Sequence, residues 1–290
     1  MADDHREDLI VGRQFWKMSG SGNDFVVFDA RLDGLGGESW EAPAAIQALC
    51  ARGTGVGADG VVFLAEPTRV GAAVAMRYYN SDGSRGAFCG NATLCVTRLA
   101  RELGFTRADE LTVETDSGMI PARMRPHGPE IDLPAVTESE SDVGELSRQS
   151  EERRIGFALA GVPHLVVRCD DVEVAPVSDR GRELRWSNVR PGGANVNFVS
   201  ERNGSWSIRT FERGVEGETL ACGSGAIASA ILLARWGESG ATTALTTRSG
   251  RVLTVTLGRE GASWKPTLAG EGRVVFTGEL ADLPTVIDQA

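Results

Sequence analysis

The sequence predicts an α+β protein of two pseudo-symmetric domains, each a mixed sheet wrapped around a central helix. Three observations carry that expectation. Short runs rich in β-branched and aromatic residues recur with turn signals between them, helices are few, and the chain repeats itself at long range. FVVFDA (25–30), GVVFLA (60–65), VAMRYY (74–79), LVVRC (165–169), NVNFVS (195–200), SIRTFE (207–212) and VLTVTL (252–257) read as strands. SWEAPAAIQALCARG (39–53) reads as a helix with Ser39 as its cap, Pro43 in the first turn and Gly53 as its stop. Two further helices, CGNATLCVTRLARELG and CGSGAIASAILLARWG, each open at Cys-Gly and close at Gly.

Superposing these two helices puts Cys89 on Cys222, Gly90 on Gly223 and Gly104 on Gly237, an offset of 133 residues. The match continues outward. MRYYNSDGS (76–84) faces IRTFERGVEG (208–217), GADGVVF (57–63) faces GANVNFV (193–199), and VETDSGMI (113–120) faces LTTRSGRV (245–252). A period this long fits a duplicated domain rather than a solenoid. The expected halves are 1–120 plus 274–290, carrying Cys89, and 121–273, carrying Cys222. The acidic stretch 137–154 reads as the link between copies.

Composition narrows the function. At 290 residues, 41% hydrophobic and with a formal charge of −10, the chain favours neither a nucleic-acid surface nor a membrane, leaving a small molecule as the expected partner. Lys17 and Lys265 are its only lysines, which disfavours Schiff-base chemistry. Three histidines and no Cys-x-x-Cys pair argue against a metal site. The string GVGADG (55–60) precedes a strand, whereas a dinucleotide fingerprint follows one and opens a helix, so no nucleotide cofactor is expected. Five cysteines behind an acidic start without a signal-peptide pattern point to a reducing, cytoplasmic setting.

Cys50, Cys95 and Cys169 sit in apolar patterns and read as inert core thiols. Cys89 and Cys222 differ, because the repeat puts each at the first residue of a helix. Unpaired N–H groups and the helix dipole favour a thiolate there. The glycines behind each thiol, Gly90 and Gly223 with Gly225, let backbone N–H groups approach a carboxylate. Two such thiols flanking one small anion suit two-base proton transfer, in which one removes a proton and the other returns one to the opposite face.

The segments KMSGSGNDFVVFD, NSDGSRGAFCGN, GVPHLVV, GANVNFV and ERGVEGETLACGSGA resemble, in order and spacing, the signatures of the diaminopimelate epimerase family, from about Phe15 to Phe276. The resemblance implies that family's fold and the cofactor-independent interconversion of LL- and meso-diaminopimelate, a step toward lysine and peptidoglycan precursors. It implies Cys89 and Cys222 as the catalytic pair, and Asn23, Asn80, Asn195, Glu212 and Arg213 as substrate contacts. It adds Gly90, Asn91, Gly223 and Ser224 at the reacting carboxylate, His164 near the thiols, and a tendency toward homodimers. Read alone, the three asparagines suit turns, Glu212 and Arg213 suit a surface ion pair, and His164 suits a core or edge position. Asp59 reads equally well as a turn residue. Val162 replaces the asparagine of GNPH, and Ala92 and Leu94 depart from the CGNGxRC form. Two alternatives stand beside the epimerase: a cofactor-independent racemase of another amino acid, and a thiol-disulfide redox switch.

Overall fold

The computed structural model describes residues 13–31, 40–187 and 190–280. The chain forms two compact units, 1–129 with 272–290, and 130–271.

In the first unit, β1 (Arg13–Gly20) turns through Ser21 and Gly22 into antiparallel β2 (Asn23–Asp29). Both turn residues have positive φ, 59° and 121°, the sign that two-residue hairpin loops favour. Helix α1 (Pro43–Cys50) leads to β3 (Gly60–Ala65), parallel to β2, and then to antiparallel β4 (Val74–Asn80). The short β5 (Arg85–Gly86) pairs with the end of β4 and delivers the chain to α2 (Gly90–Glu102). Strand β6 (Glu110–Thr115) then runs parallel to the start of β4, and β7 (Gly118–Arg125) pairs antiparallel with β6.

The sheet is covered on both faces, which is why β2 and β3 are near-continuous apolar runs. Phe28, Trp40, Ile46, Leu49, Phe63 and Tyr79 form the core under α1. On the other face α2 packs against β1, β2, β3, β4, β6 and β7. Its Ala92, Leu94, Cys95, Val96 and Leu99 are fully buried.

The second unit opens with part of β8 (Gly128–Asp132), followed by β9 (Ser139–Glu140), β10 (Glu152–Ala160) and β11 (Val162–Cys169). Helix α3 (Val177–Arg185) leads to β12 (Asn195–Arg202), parallel to β11, and to antiparallel β13 (Ser205–Glu212). Short β14 (Gly217–Thr219) pairs with the end of β13 and feeds α4 (Gly223–Arg235). Strand β15 (Thr242–Thr246) is parallel to the start of β13, and β16 (Val252–Glu260) and β17 (Ser263–Ala269) complete the meander, with β8 on the edge of β17. Element for element, β10 to β16 with α3 and α4 repeat β1 to β7 with α1 and α2. The last strand, β18 (Arg273–Leu280), belongs to the first unit and pairs antiparallel with β1.

Several details depart from expectation. Helix α1 starts at Pro43 with Ala42 at its cap, and Ala42 makes no side-chain cap bond; Ser39, the expected cap, lies outside the described residues. Residues 137–154 do not link the two copies, since they hold β9 and the start of β10 inside the second unit. Helix α3 was not expected at all. Its sequence VSDRGRELR is charged and contains Gly181, whose missing Cβ would sit 2.6 Å from Cβ of Phe211. Val177 and Leu184 anchor it to a core of Ile155, Phe157, Val196 and Phe198, and buried Arg180 pairs with Glu152 at 2.8 Å. Among the described residues no helix is long and apolar enough to cross a membrane.

Candidate active site

The two motif cysteines occupy the same place in their units. Cys89 is the N-cap of α2 (φ −144°, ψ 115°) and Cys222 the N-cap of α4 (φ −137°, ψ 109°). Each is therefore a cap in extended geometry rather than the first helical residue that the sequence suggested. In each unit the two-strand ribbon before the helix, β4–β5 or β13–β14, delivers the chain to that cap. None of the five cysteines forms a disulfide among the described residues; the Cys89 and Cys222 thiols are half-buried, whereas Cys50, Cys95 and Cys169 are buried. Burial pushes the Cys50 thiol up to about 12 and the Cys169 thiol up to about 11.

Around Cys89 the polar groups form a chain with a defined direction. Tyr78, 8% exposed, donates its hydroxyl proton to Asn80 Oδ1 at 2.9 Å and lies close enough to the Cys89 sulfur to feel its charge. Burial, and then the sulfur, hold this phenol well above its ordinary range. Asn80 is fixed at its other end by its Nδ2 donating to Ser84 Oγ at 3.0 Å. On the hairpin side, Asn23 Nδ2 donates to Asp59 Oδ2 at 3.0 Å, which leaves Asn23 Oδ1 to accept from Asn91 Nδ2 at 2.6 Å. Asn91 Oδ1 is then a buried acceptor with no hydrogen-bond partner among the described residues. Asp59 is held by Arg52 at 2.8 Å, and Arg52 also binds Asp24, which pairs with buried Lys17 at 2.6 Å. Burial works to raise the Asp24 carboxyl, but the bonds from Arg52 and Lys17 outweigh it and hold the group below its usual range. Gly20 has no room for a side chain, since a Cβ there would stand 2.5 Å from the Asn91 carbonyl oxygen.

Around Cys222, the Gly225 N–H donates to Sγ at 3.4 Å and Ser224 Oγ lies 3.6 Å from it. A Cβ on Gly225 would be 2.2 Å from Asn197 Oδ1 and 3.2 Å from the sulfur. Asn195, paired with His164 across β11 and β12, accepts the Arg213 backbone N–H at 2.7 Å. Arg213 makes no ion pair among the described residues. Its carboxylate neighbour Glu212 accepts a hydrogen bond from Thr219 Oγ1 instead, so the two are not the surface pair their adjacency suggested. His164 is fully buried, and burial together with the charge of Arg213 pushes its imidazole down to about 3.

Each unit thus gathers the candidates of its own half. Asn23, Asn80 and Asn91 are tied into the Cys89 neighbourhood; Gly223 and Ser224 lie directly behind Cys222, and His164, Asn195 and Arg213 form a linked group of the same unit that reaches Gly225 through Asn197. Ala92 and Leu94, the departures in the first cysteine motif, are core residues of α2. Sequence reasoning missed Tyr78, Asn197 and Thr210 and left Asp59 open. Period-two spacing was the available signal, because Tyr78 shares a strand face with Asn80, and Asn197 with Asn195.

A model of diaminopimelate epimerase matches residues 15–139 and 157–275. A diaminopimelate epimerase of Gemmatimonas aurantiaca is 48% identical over 279 residues, covering 93% of this chain and 99% of the relative. The chain belongs to the diaminopimelate epimerase family. A second member of the family, from Aquifex aeolicus, is 37% identical over 93% of this chain and 98% of its own length. Solved structures extend the likeness of fold. A Bacillus anthracis phenazine biosynthesis protein of the PhzF family superposes with TM-score 0.72 at 17% identity, covering 93% of this chain and 99% of that one. A hydroxyproline epimerase from Agrobacterium vitis, solved with bound trans-4-hydroxy-L-proline, superposes with TM-score 0.65 at 18% identity, covering 94% and 93%.

Proposed function

We propose that the protein interconverts LL- and meso-diaminopimelate by proton transfer at one α-carbon, with Cys89 and Cys222 as the two bases. The observation that supports this most is the matched pair of half-buried thiols, each capping the apolar helix of its unit, in a chain of the epimerase family. One thiolate takes the α-proton, breaking the C–H bond and leaving a carbanion. The other thiol gives its proton to the opposite face, so the centre is inverted and thiol and thiolate have exchanged places. Reaction in the other direction uses the thiols in reversed roles, and no cofactor is needed.

In this reading the unpaired N–H groups behind each cap, at Gly90, Asn91, Gly223 and Ser224, receive the reacting carboxylate. Arg213, with no carboxylate partner of its own among the described residues, forks onto the distal carboxylate. Asn91 Oδ1, an acceptor without a partner among the described residues, suits an ammonium group, and Asn23, Asn80, Asn195 and Glu212 complete the polar lining. His164 supports the Cys222 side. The protein is further read as a cytoplasmic homodimer, which light scattering in solution tests by showing twice the chain mass.

The deciding experiment is turnover of LL-diaminopimelate in deuterium oxide. Deuterium entering one α-carbon as the meso isomer accumulates supports the proposal. Exchange into a different amino acid with none into diaminopimelate would transfer the chemistry to a related racemase. Full activity of Cys89→Ala or Cys222→Ala would end the two-base scheme.

A further inference from the structure

Asn197, on β12, is pinned at both ends of its amide. One end lies 3.0 Å from the Leu165 carbonyl oxygen, which only accepts, so that end is the NH2 group. The other end, Oδ1, accepts from Thr210 Oγ1 at 3.0 Å. Turning the amide over would set two oxygens against each other at Leu165. The second N–H of Nδ2 is thereby aimed at His164 Nδ1, 3.1 Å away. A ring nitrogen facing a donor must offer its lone pair, so the proton of the neutral imidazole sits on Nε2.

That Nε2 is buried and finds no hydrogen-bond partner among the described residues. Leaving such a bond unmade is costly, and a catalytic role is one of the few reasons for which a native fold keeps such a group. The surroundings reinforce the neutral form, since the ring is fully buried and the charged group acting on it is the Arg213 guanidinium at the end of β13. The same amide oxygen abuts Gly225, whose N–H binds Cys222 Sγ, so the clamp belongs to the Cys222 neighbourhood.

We propose that Asn197 is a positioning residue that holds His164 as the neutral Nε2–H tautomer, keeping a buried, uncommitted donor ready beside the Cys222 chemistry. The tautomer follows from the geometry alone; its use in turnover rests on the epimerase reading above.

The test is long-range proton–nitrogen NMR of 15N-histidine-labelled protein, which holds only three histidines, combined with kinetics of Asn197→Asp. In the wild type, His164 should show a bare Nδ1, a protonated Nε2 and no titration between pH 5 and 8. In Asn197→Asp the carboxylate should draw the proton to Nδ1, the ring should titrate within that window, and kcat should fall at least tenfold with KM little changed. A wild-type proton on Nδ1, or ordinary titration of the wild-type ring, overturns the clamp even if the variant fails to fold. A switched tautomer with unchanged kcat overturns its role in turnover. The tautomer is read without substrate, so a wild type inactive on diaminopimelate counts against the proposed activity alone.

Discussion

The backbone N–H of Gly225 donates to the Sγ of Cys222 at 3.4 Å, while Cys89 has no corresponding side-chain cap bond and interacts instead with Tyr78. The duplicated halves therefore treat their thiols differently, one through the helix amides and one through a phenol. A methyl on Gly225 would stand 2.2 Å from Asn197 Oδ1, and neither the helix backbone nor the pinned amide has slack. Gly225→Ala should lose about 1–3 kcal/mol of stability in urea unfolding and most of its turnover. A variant with wild-type activity would show that the approach is looser than it stands.

Loss of the Tyr78 hydroxyl leaves the ring, and with it the packing, in place. Tyr78→Phe should lower kcat about tenfold, the equivalent of one hydrogen bond of roughly 1.4 kcal/mol, with a melting temperature close to wild type. Steady-state kinetics beside a thermal melt separates the two effects.

Iodoacetamide at pH 8 should label Cys89 and Cys222 in the folded protein and spare the others. Cys50 and Cys169 are buried, and thiols pushed up to about 12 and about 11 stay protonated at that pH. Cys95 is fully buried. Peptide mass mapping before and after denaturation reads the pattern, and substrate should protect the labelled pair.

The Asp59 carboxylate orders two side chains in series, since it sets the amide of Asn23, which sets the amide of Asn91. Asp59→Ala frees both amides to turn. KM for diaminopimelate should rise about tenfold, a loss near 1.4 kcal/mol, with kcat and stability much less affected.

Asp24 has a folded-state pKa below its unfolded value, so its contribution to stability is present above the unfolded value of 3.8 and is lost as pH falls through the lower folded value. Acid unfolding of the wild type should therefore include a component below about pH 4. Lys17→Met removes one partner of this largely buried pair while Arg52 remains. It should lose roughly 2–3 kcal/mol, less than a fully buried charge left alone, and should weaken that acid component. Denaturant titrations at pH 3.5 and pH 7 measure both.

How much of this was legible beforehand depended on whether a residue's partner lay nearby in sequence. The apolar runs of β2, β3, β11 and β12 and the Cys-Gly helix starts announce themselves through local composition, and the repeat doubles each signal. Helix α3 stayed hidden because a packed Gly181 and the buried Arg180–Glu152 pair look, in one dimension, like a solvated turn. Strands β1 and β10 were obscured by Lys17 and by Arg153 and Arg154 within them. The same limit applied at the candidate site. Asn23, Asn91 and Asn195 stand in recognisable motifs, but what directs their amides is Asp59, 36 residues from Asn23, and the Arg213 backbone, 18 residues from Asn195.

Strand β18 pairs with β1 from Arg13–Leu280 to Ser19–Arg273, and its Phe276 packs edge-on against Phe15 with centroids 6.1 Å apart. The first unit is thus assembled from the two extremes of the chain, while the second is one uninterrupted stretch. On the ribosome the order of completion is inverted. The later-made unit is complete in sequence by Glu271, whereas the earlier-made one keeps an open strand edge on β1 until β18 has followed. A chain truncated before Arg273 would keep every strand of the Cys222 unit and leave β1 without its β18 partner.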